Sequence, residues 1–127
     1  MNVLFVCVEN AGRSQMAEAF FRAAAPARHS ARSAGTRPAE RVHPEVAEAM
    51  AAVGLDVAAN RPRRLEREDS EWADVVVTMG CGDECPFVPG TRYVDWELED
   101  PAGRSAAAVR AIRDEVRRRV DALLAGL

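Results

Sequence analysis

Apolar and polar positions follow two rhythms along this chain. Val3-Leu4-Phe5-Val6 is an unbroken apolar run with β-branched and aromatic members, which predicts a strand buried on both faces. From Arg13 the rhythm turns helical: Met16, Phe20 and Ala24 share one side, Ala17 and Phe21 adjoin them, and Pro26 stops the helix. Arg28 to Ala34 predicts a second strand that ends at Ser33-Ala34-Gly35. His43-Pro44 opens a second helix, since proline suits a first helical turn. Val46, Met50 and Val53 keep helical spacing there, and Gly54 ends it. Leu55 to Ala58 reads as a short third strand, and Asn60 to Asp69, polar and rich in arginine, as a surface connection. Ser70 is placed to cap a short helical turn through Trp72. Asp74-Val75-Val76-Val77-Thr78-Met79 is the clearest later strand. Gly80 to Gly90 is a loop by its glycines and prolines, Tyr93 to Trp96 a last short strand, and Glu99 to Gly103 a turn. Val109, Ile112, Val116, Val120 and Leu123 mark a long terminal helix with an arginine-rich polar face.

Strands alternating with helices imply βαβ units, right-handed crossovers and a parallel sheet, an α/β fold. A length of 127 residues predicts one domain, 1–127, around one core. In such folds ligands bind at the carboxyl ends of the strands. The segment after Val6, the loop after Met79 and the turn at Asp100 all fall there.

Composition narrows the function. A net charge of -3 argues against general nucleic-acid binding, so any attraction for anions must be local. All 17 basic residues are arginine, which with the many alanines fits coding bias in a GC-rich genome. No apolar run approaches the ~18–20 residues a membrane span needs, and no signal-peptide pattern precedes the first strand. A cytoplasmic protein, monomeric and away from membranes, is the expectation. Three cysteines in a reducing compartment favour catalytic or redox thiols over structural disulfides.

The chemistry concentrates where the first strand delivers Cys7, and Arg13 and Ser14 open the helix five residues later. Strand, loop and helix N-terminus together form an anion cradle over Val8, Glu9, Asn10, Ala11, Gly12, Arg13 and Ser14. Its N–H groups and the helix dipole favour negative charge. Arg13 supplies a planar donor fork suited to a tetrahedral oxyanion. Gly12 permits a loop conformation with positive φ, and Asn10 can bond the loop backbone and tolerates left-handed geometry. The nucleophilic form of cysteine is the thiolate, which helix N-termini and a neighbouring arginine favour. Cys7 therefore reads as a nucleophile aimed at the central atom of phosphate or arsenate, rather than as a small buried strand residue. Asp100 reads as a general acid or as a plain turn residue before proline.

Taken together, Cys7-Val-Glu-Asn-Ala-Gly-Arg13-Ser14-Gln15, Ser33-Ala-Gly35, Val76-Val-Thr-Met79 and Asp100-Pro-Ala-Gly103 resemble one family over nearly the whole chain. It is the bacterial arsenate reductases built on the low-molecular-weight protein tyrosine phosphatase fold. Ser14-Gln15 resembles the reductase branch, because the phosphatase branch usually has Ser-Pro there. The Asp-Pro turn also lacks the aromatic residues common beside it in phosphotyrosine enzymes. The resemblance implies a three-layer sandwich with a four-stranded parallel sheet in the order 2-1-3-4. It also implies roles: Cys7 attacks arsenic, Arg13 binds the equatorial oxygens, Ser14 stabilises the thiolate, Asn10 shapes the loop and Asp100 protonates the departing oxygen. No cofactor is implied. Family members can hold a potassium ion near the loop, for which Asn10, Glu18 and Ser33 are candidate ligands. The Asn60-Arg-Pro-Arg-Arg64 stretch does not suit the remaining ligands and an arginine can stand for the cation's charge, so no metal is assigned.

Arsenate, unlike phosphate, can be reduced at its central atom. The resembled thioredoxin-coupled branch implies a relay in which a second thiolate attacks the Cys7–arsenic adduct, arsenite leaves, and the disulfide passes to Cys81–Cys85 for exchange with thioredoxin. Here only Gly82, Asp83 and Glu84 separate the two later cysteines, closer than in that branch. Helical residues four apart hold their Cβ atoms roughly 5–6 Å apart, beyond the ~3.5–4.5 Å of a disulfide, so the loop must leave helical geometry. Other readings stay open. An external thiol donor of the mycothiol or glutaredoxin type is one, and phosphatase action through Cys7, Arg13 and Asp100 is another. Zinc held by Cys81 and Cys85 with His29 or His43 is a weak third, because the cysteines lack a second ligand pair. His29 and His43 read as surface or helix-start residues, and Trp72 and Trp96 as packing anchors.

Overall fold

The opening apolar run forms β1 (Asn2–Cys7), with every residue after Asn2 buried. In the computed structural model, which describes residues 1–81 and 87–127, it lies centrally in a four-stranded parallel sheet. The strand order is β2-β1-β3-β4, with β2 Ser30–Gly35, β3 Val75–Thr78 and β4 Arg92–Asp95. This is the expected order with all-parallel pairing, and burial on both faces accounts for the lack of polar alternation in β1.

The side chains of β1 divide between two apolar clusters. Val3, Phe5 and Cys7 join the larger one, with Met16, Phe20 and Phe21 of α1 (Arg13–Ala24), Val46 and Met50 of α2 (Pro44–Ala51), and Val109, Val116 and Val120 of α4 (Ala106–Ala125). Leu4 and Val6 join the smaller one with Val76, Ala73 and Cys81, against α3 (Arg67–Trp72). Helices thus cover both faces, giving three layers. Phe5 anchors the large cluster, with ring centroids 5.7 Å from Phe21 and 6.0 Å from Trp96. Trp72 is half-buried instead, under the Arg32 guanidinium 4.2 Å above its ring.

Three expectations are corrected. Leu55 to Ala58 is no strand: Gly54 turns the chain at φ 83, and Asp56 accepts from the Ala58 N–H at 3.0 Å. Only Val57 of the segment is fully buried in the core. Asn60 to Asp69 is more than a surface connection. The Gly35 N–H donates to the Arg63 carbonyl and the Leu65 N–H to the Gly35 carbonyl, both at 2.9 Å, which extends the sheet edge beside Gly35. Ser70 does not cap α3; the helix starts earlier, where Glu66 and Asp69 close a reciprocal capping box, and Ser70 is buried within it. No helix among the described residues is long and apolar enough to cross a membrane.

Candidate active site

Parallel pairing sets Cys7 opposite Gly35, at the carboxyl edge of the sheet. The carbonyls of the segment that follows are all turned outward. Those of Cys7, Val8, Glu9 and Ala11 accept from the N–H groups of Thr36, Arg37, Ala39 and His43, at 3.2, 2.8, 3.0 and 3.0 Å. The Asn10 carbonyl accepts from Gln15 Nε2 at 3.1 Å, and the Gly12 carbonyl from the Met16 N–H at 3.0 Å. With every carbonyl from 7 to 12 occupied outside, the loop presents its N–H groups to its centre, where α1 begins without a side-chain cap. The positive φ in this loop belongs to Asn10, at 52°, and not to Gly12, whose φ is -142°. Gly12 is needed for closeness instead: a Cβ there would stand 2.9 Å from Pro101 Cγ.

Cys7 is 2% exposed; its sulfur lies 2.8 Å from Ser14 Oγ, and the Asn10 N–H donates to it at 3.3 Å. The direction of the Ser14 bond follows from its neighbours. Asn10 Nδ2 donates to Ser14 Oγ at 2.7 Å, so the single hydroxyl proton is free to point at sulfur. The amide is itself oriented, since its Oδ1 accepts from the Arg63 N–H at 3.0 Å and from Gln15 Nε2 at 3.3 Å. Two donors thus converge on one sulfur at the base of an amide-lined loop.

Arg13 stands at the rim, 9% exposed. Its Nη1 donates to the Leu98 carbonyl at 3.2 Å, and its Nη2 is 3.7 Å from Asp100 Oδ2. Gly80, at φ +87°, allows the guanidinium this position, since a Cβ there would sit 2.6 Å from Arg13 Nη1. Asp100 is exposed, and its Oδ1 accepts from the Ala102 N–H at 3.0 Å, which holds the turn and points the other oxygen toward Arg13. Arg13, which opens the helix at the end of the loop that starts at Cys7, is therefore brought to Asp100. Cys81 follows the Gly80 contact, yet its side chain is buried 6% exposed in the smaller cluster, on the opposite face of the sheet from Cys7. It is disulfide-bonded, whereas Cys7 is a free thiol. Cys85 lies outside the described residues.

Behind the loop lies a buried polar network that the sequence alone did not reveal. Asn10 Nδ2 also donates to Ser33 Oγ at 3.0 Å, and Ser33 Oγ donates to Glu18 Oε1 at 2.5 Å. The candidate cation ligands Asn10, Glu18 and Ser33 do meet, with two guanidinium groups beside them: Arg22 Nε donates to Glu18 Oε2 at 2.6 Å, and Arg63 lies on the other side. Its Nη1 donates to the Ser33 carbonyl at 2.7 Å and its Nη2 to Asp69 Oδ1 at 2.6 Å. Asp69 is fully buried and also accepts from Arg32 Nη1 at 3.2 Å and from the Glu66 N–H at 3.0 Å. Burial works against its charged form, but the Glu66 N–H and the two guanidinium groups outweigh that and hold its carboxyl below the ordinary value. The Glu66-x-x-Asp69 capping pattern was the one available signal for Asp69. Nothing in the sequence distinguishes Arg63 from Arg61 and Arg64. Among the described residues, no three His, Cys, Asp or Glu side chains group as metal ligands.

A buried cysteine at the focus of an amide-lined loop, with a guanidinium at the rim, is built for thiol chemistry on a tetrahedral oxyanion. The particular family follows from comparison: the profile of low molecular weight phosphotyrosine protein phosphatases matches residues 2–127, and the chain belongs to that family. It is 36% identical over 126 residues to the glutaredoxin arsenate reductase of Synechocystis sp., covering 97% of this chain and 95% of that protein. Among solved structures it resembles the thioredoxin-dependent arsenate reductase of Corynebacterium glutamicum, with a TM-score of 0.86 and 39% identity over 98% of this chain. The chain spans only 60% of that protein's length. It also resembles the low molecular weight protein tyrosine phosphatase of T. tengcongensis, with a TM-score of 0.88 and 28% identity over 100% of this chain and 99% of that one.

Proposed function

We propose that this protein is an arsenate reductase in which Cys7 is the nucleophile and Cys81 and Cys85 carry the electrons away. The Cys7 thiolate attacks arsenic(V), an As–S bond forms, and one arsenate oxygen leaves as water with the proton supplied by Asp100. The loop N–H groups and Arg13 stabilise the charge on the remaining oxygens. A second thiolate from the Cys81–Cys85 loop then attacks the Cys7 sulfur. An S–S bond forms, the As–S bond breaks with its electron pair left on arsenic, and arsenite departs. The third thiol displaces Cys7 and leaves a Cys81–Cys85 disulfide, which a dithiol reductant returns to thiols.

The observation that carries this reading is the contrast between the free Cys7 and the disulfide-bonded Cys81, whose segment leaves the cradle rim at Gly80. A phosphatase cycle needs no second redox thiol. Because Cys81 packs in the smaller cluster and Cys7 in the larger one, the relay requires Cys81 to leave that packing during each cycle. The cycle starts from a reduced Cys7, which fits the cytoplasm. The similar proteins named for thioredoxin and glutaredoxin make either kind of reductant chemically consistent.

Reduced protein mixed with arsenate should support NADPH oxidation in the presence of thioredoxin and its reductase, or of glutathione, glutaredoxin and glutathione reductase. Failure with both systems, and with mycothiol, rejects the proposal. A second reading, hydrolysis of a phosphate monoester through a Cys7 phosphoenzyme, is favoured by the resemblance to the tyrosine phosphatase and needs only Cys7, Arg13 and Asp100. Cys81→Ser separates the two, because it abolishes arsenate turnover and leaves phosphate-ester hydrolysis intact.

A further inference from the structure

We infer that Asp69, remote from the loop and on α3, is a positioning residue that keeps the Ser14 proton on the Cys7 sulfur by acting through Arg63. The inference rests on Cys7 being the nucleophile and is independent of which oxyanion it attacks.

The argument runs along one chain of bonds. Ser14 gives its proton to Cys7 only while Asn10 presents Nδ2, and not Oδ1, to Ser14 Oγ. An amide turned by 180° would place an acceptor there and draw the hydroxyl proton off the sulfur. The Nδ2 bond to Ser33 Oγ and the other end of the Asn10 amide together prevent that turn. Its Oδ1 takes the Arg63 main-chain N–H at 3.0 Å, with Gln15 Nε2 a longer second donor at 3.3 Å.

Arg63 can hold that N–H in place because it is fastened at three further points. Its carbonyl accepts from Gly35, its Nη1 reaches the Ser33 carbonyl, and its Nη2 reaches Asp69 Oδ1. Asp69 is the only charged partner among these and has no exposure to water. It is fixed by the Glu66 N–H on one oxygen and shared with Arg32 on the other, so it forms a rigid terminus for the chain. A capping role on α3 explains the bond to Glu66 but not the 2.6 Å contact to Arg63.

The test measures iodoacetamide alkylation of Cys7 in a Cys81→Ser/Cys85→Ser background, so that one thiol remains, with melting temperature recorded for each variant. Asp69→Asn and Arg63→Ala should each slow alkylation at pH 7 about tenfold, the equivalent of ~1.4 kcal/mol, and move the pH profile of alkylation to higher pH. Adding Asp69→Asn to Arg63→Ala should slow it no further, because both act through one N–H. Arg32→Ala, which removes the other guanidinium on Asp69, should lower the melting temperature without moving the alkylation profile. An Asp69→Asn variant that melts lower yet alkylates like its parent, or additive effects in the double variant, overturns the inference. If Asp69→Asn unfolds the chain, Arg63→Ala alone decides by the same two readouts. Absence of arsenate reduction in the parent protein would reject the proposed reaction and leave this result standing.

Discussion

Gly35→Ala tests whether the cradle's shape, and not the presence of its residues, governs activity. Gly35 is not among the residues at positive φ, so alanine meets no dihedral penalty. The added Cβ would stand 2.6 Å from the Val8 carbonyl oxygen, 2.9 Å from the Asn10 nitrogen and 3.0 Å from Asn10 Cβ. All three belong to the anion loop. Strand β2 is held against retreat at Gly35, whose N–H and carbonyl are both bonded at 2.9 Å, to Arg63 and Leu65 of the neighbouring segment. Restoring an ordinary contact of roughly 3.5 Å therefore moves the loop by about 0.9 Å. Misplacement on the order of 1 Å costs about 10²-fold in rate, or ~2.7 kcal/mol of transition-state stabilisation. Overpacking costs a further ~1–3 kcal/mol of stability, a shift of several degrees in Tm. The assay is kcat/KM for arsenate, with Cys7 alkylation as a readout free of turnover, and Gly126→Ala as the control, since its nearest contact is 3.6 Å. Activity within threefold of wild type in a folded Gly35→Ala protein would refute the reasoning.

Other outcomes follow from the same geometry. Ser14→Ala removes a donor to a charged sulfur, worth about 1.5–3 kcal/mol, and should slow Cys7 alkylation at pH 7 by about 10- to 100-fold; an unchanged rate would place the hydroxyl proton elsewhere. Asp100→Asn should lower kcat for arsenate reduction about 10²-fold or more with little change in KM, and a loss under threefold would remove Asp100 as the acid. Asp69 has a lowered folded value, so its ionic contribution is complete above the ordinary 3.8 and is lost as pH falls through that folded value. The gap in Tm between wild type and Asp69→Asn should therefore be full at pH 7 and narrow toward pH 3; a constant gap contradicts it.

The fold was legible because the apolar code is local. Val3 to Val6 and Asp74 to Met79 could only be buried strands, and the helical spacing through Phe20 and through Val116 left one reading. What failed were segments decided by partners far away in sequence. Leu55 to Ala58 has strand composition, but the sheet edge it would need is taken by Arg63 to Leu65. Gly12 was read for its dihedral freedom, while its real constraint is Pro101, which no local pattern announces. The site divides similarly. Cys7, Arg13 and Ser14 stand in one motif, so their meeting was foreseeable, whereas Arg63 and Asp69 reach Asn10 only through tertiary contacts. Cys7 at the end of β1 and Cys81 beyond β3 also pack into different apolar clusters, something the positions of the cysteines did not convey.

Single turnover without any reductant tests the central claim most directly. Fully reduced protein is mixed anaerobically with one equivalent of arsenate, arsenite is quantified, free thiols are counted, and the disulfide is mapped by mass spectrometry. The account predicts one arsenite released and two thiols lost per chain, with the bond between Cys81 and Cys85 and Cys7 returned to a free thiol. Three thiols retained and no arsenite formed, in protein whose Cys7 still alkylates normally, would contradict it.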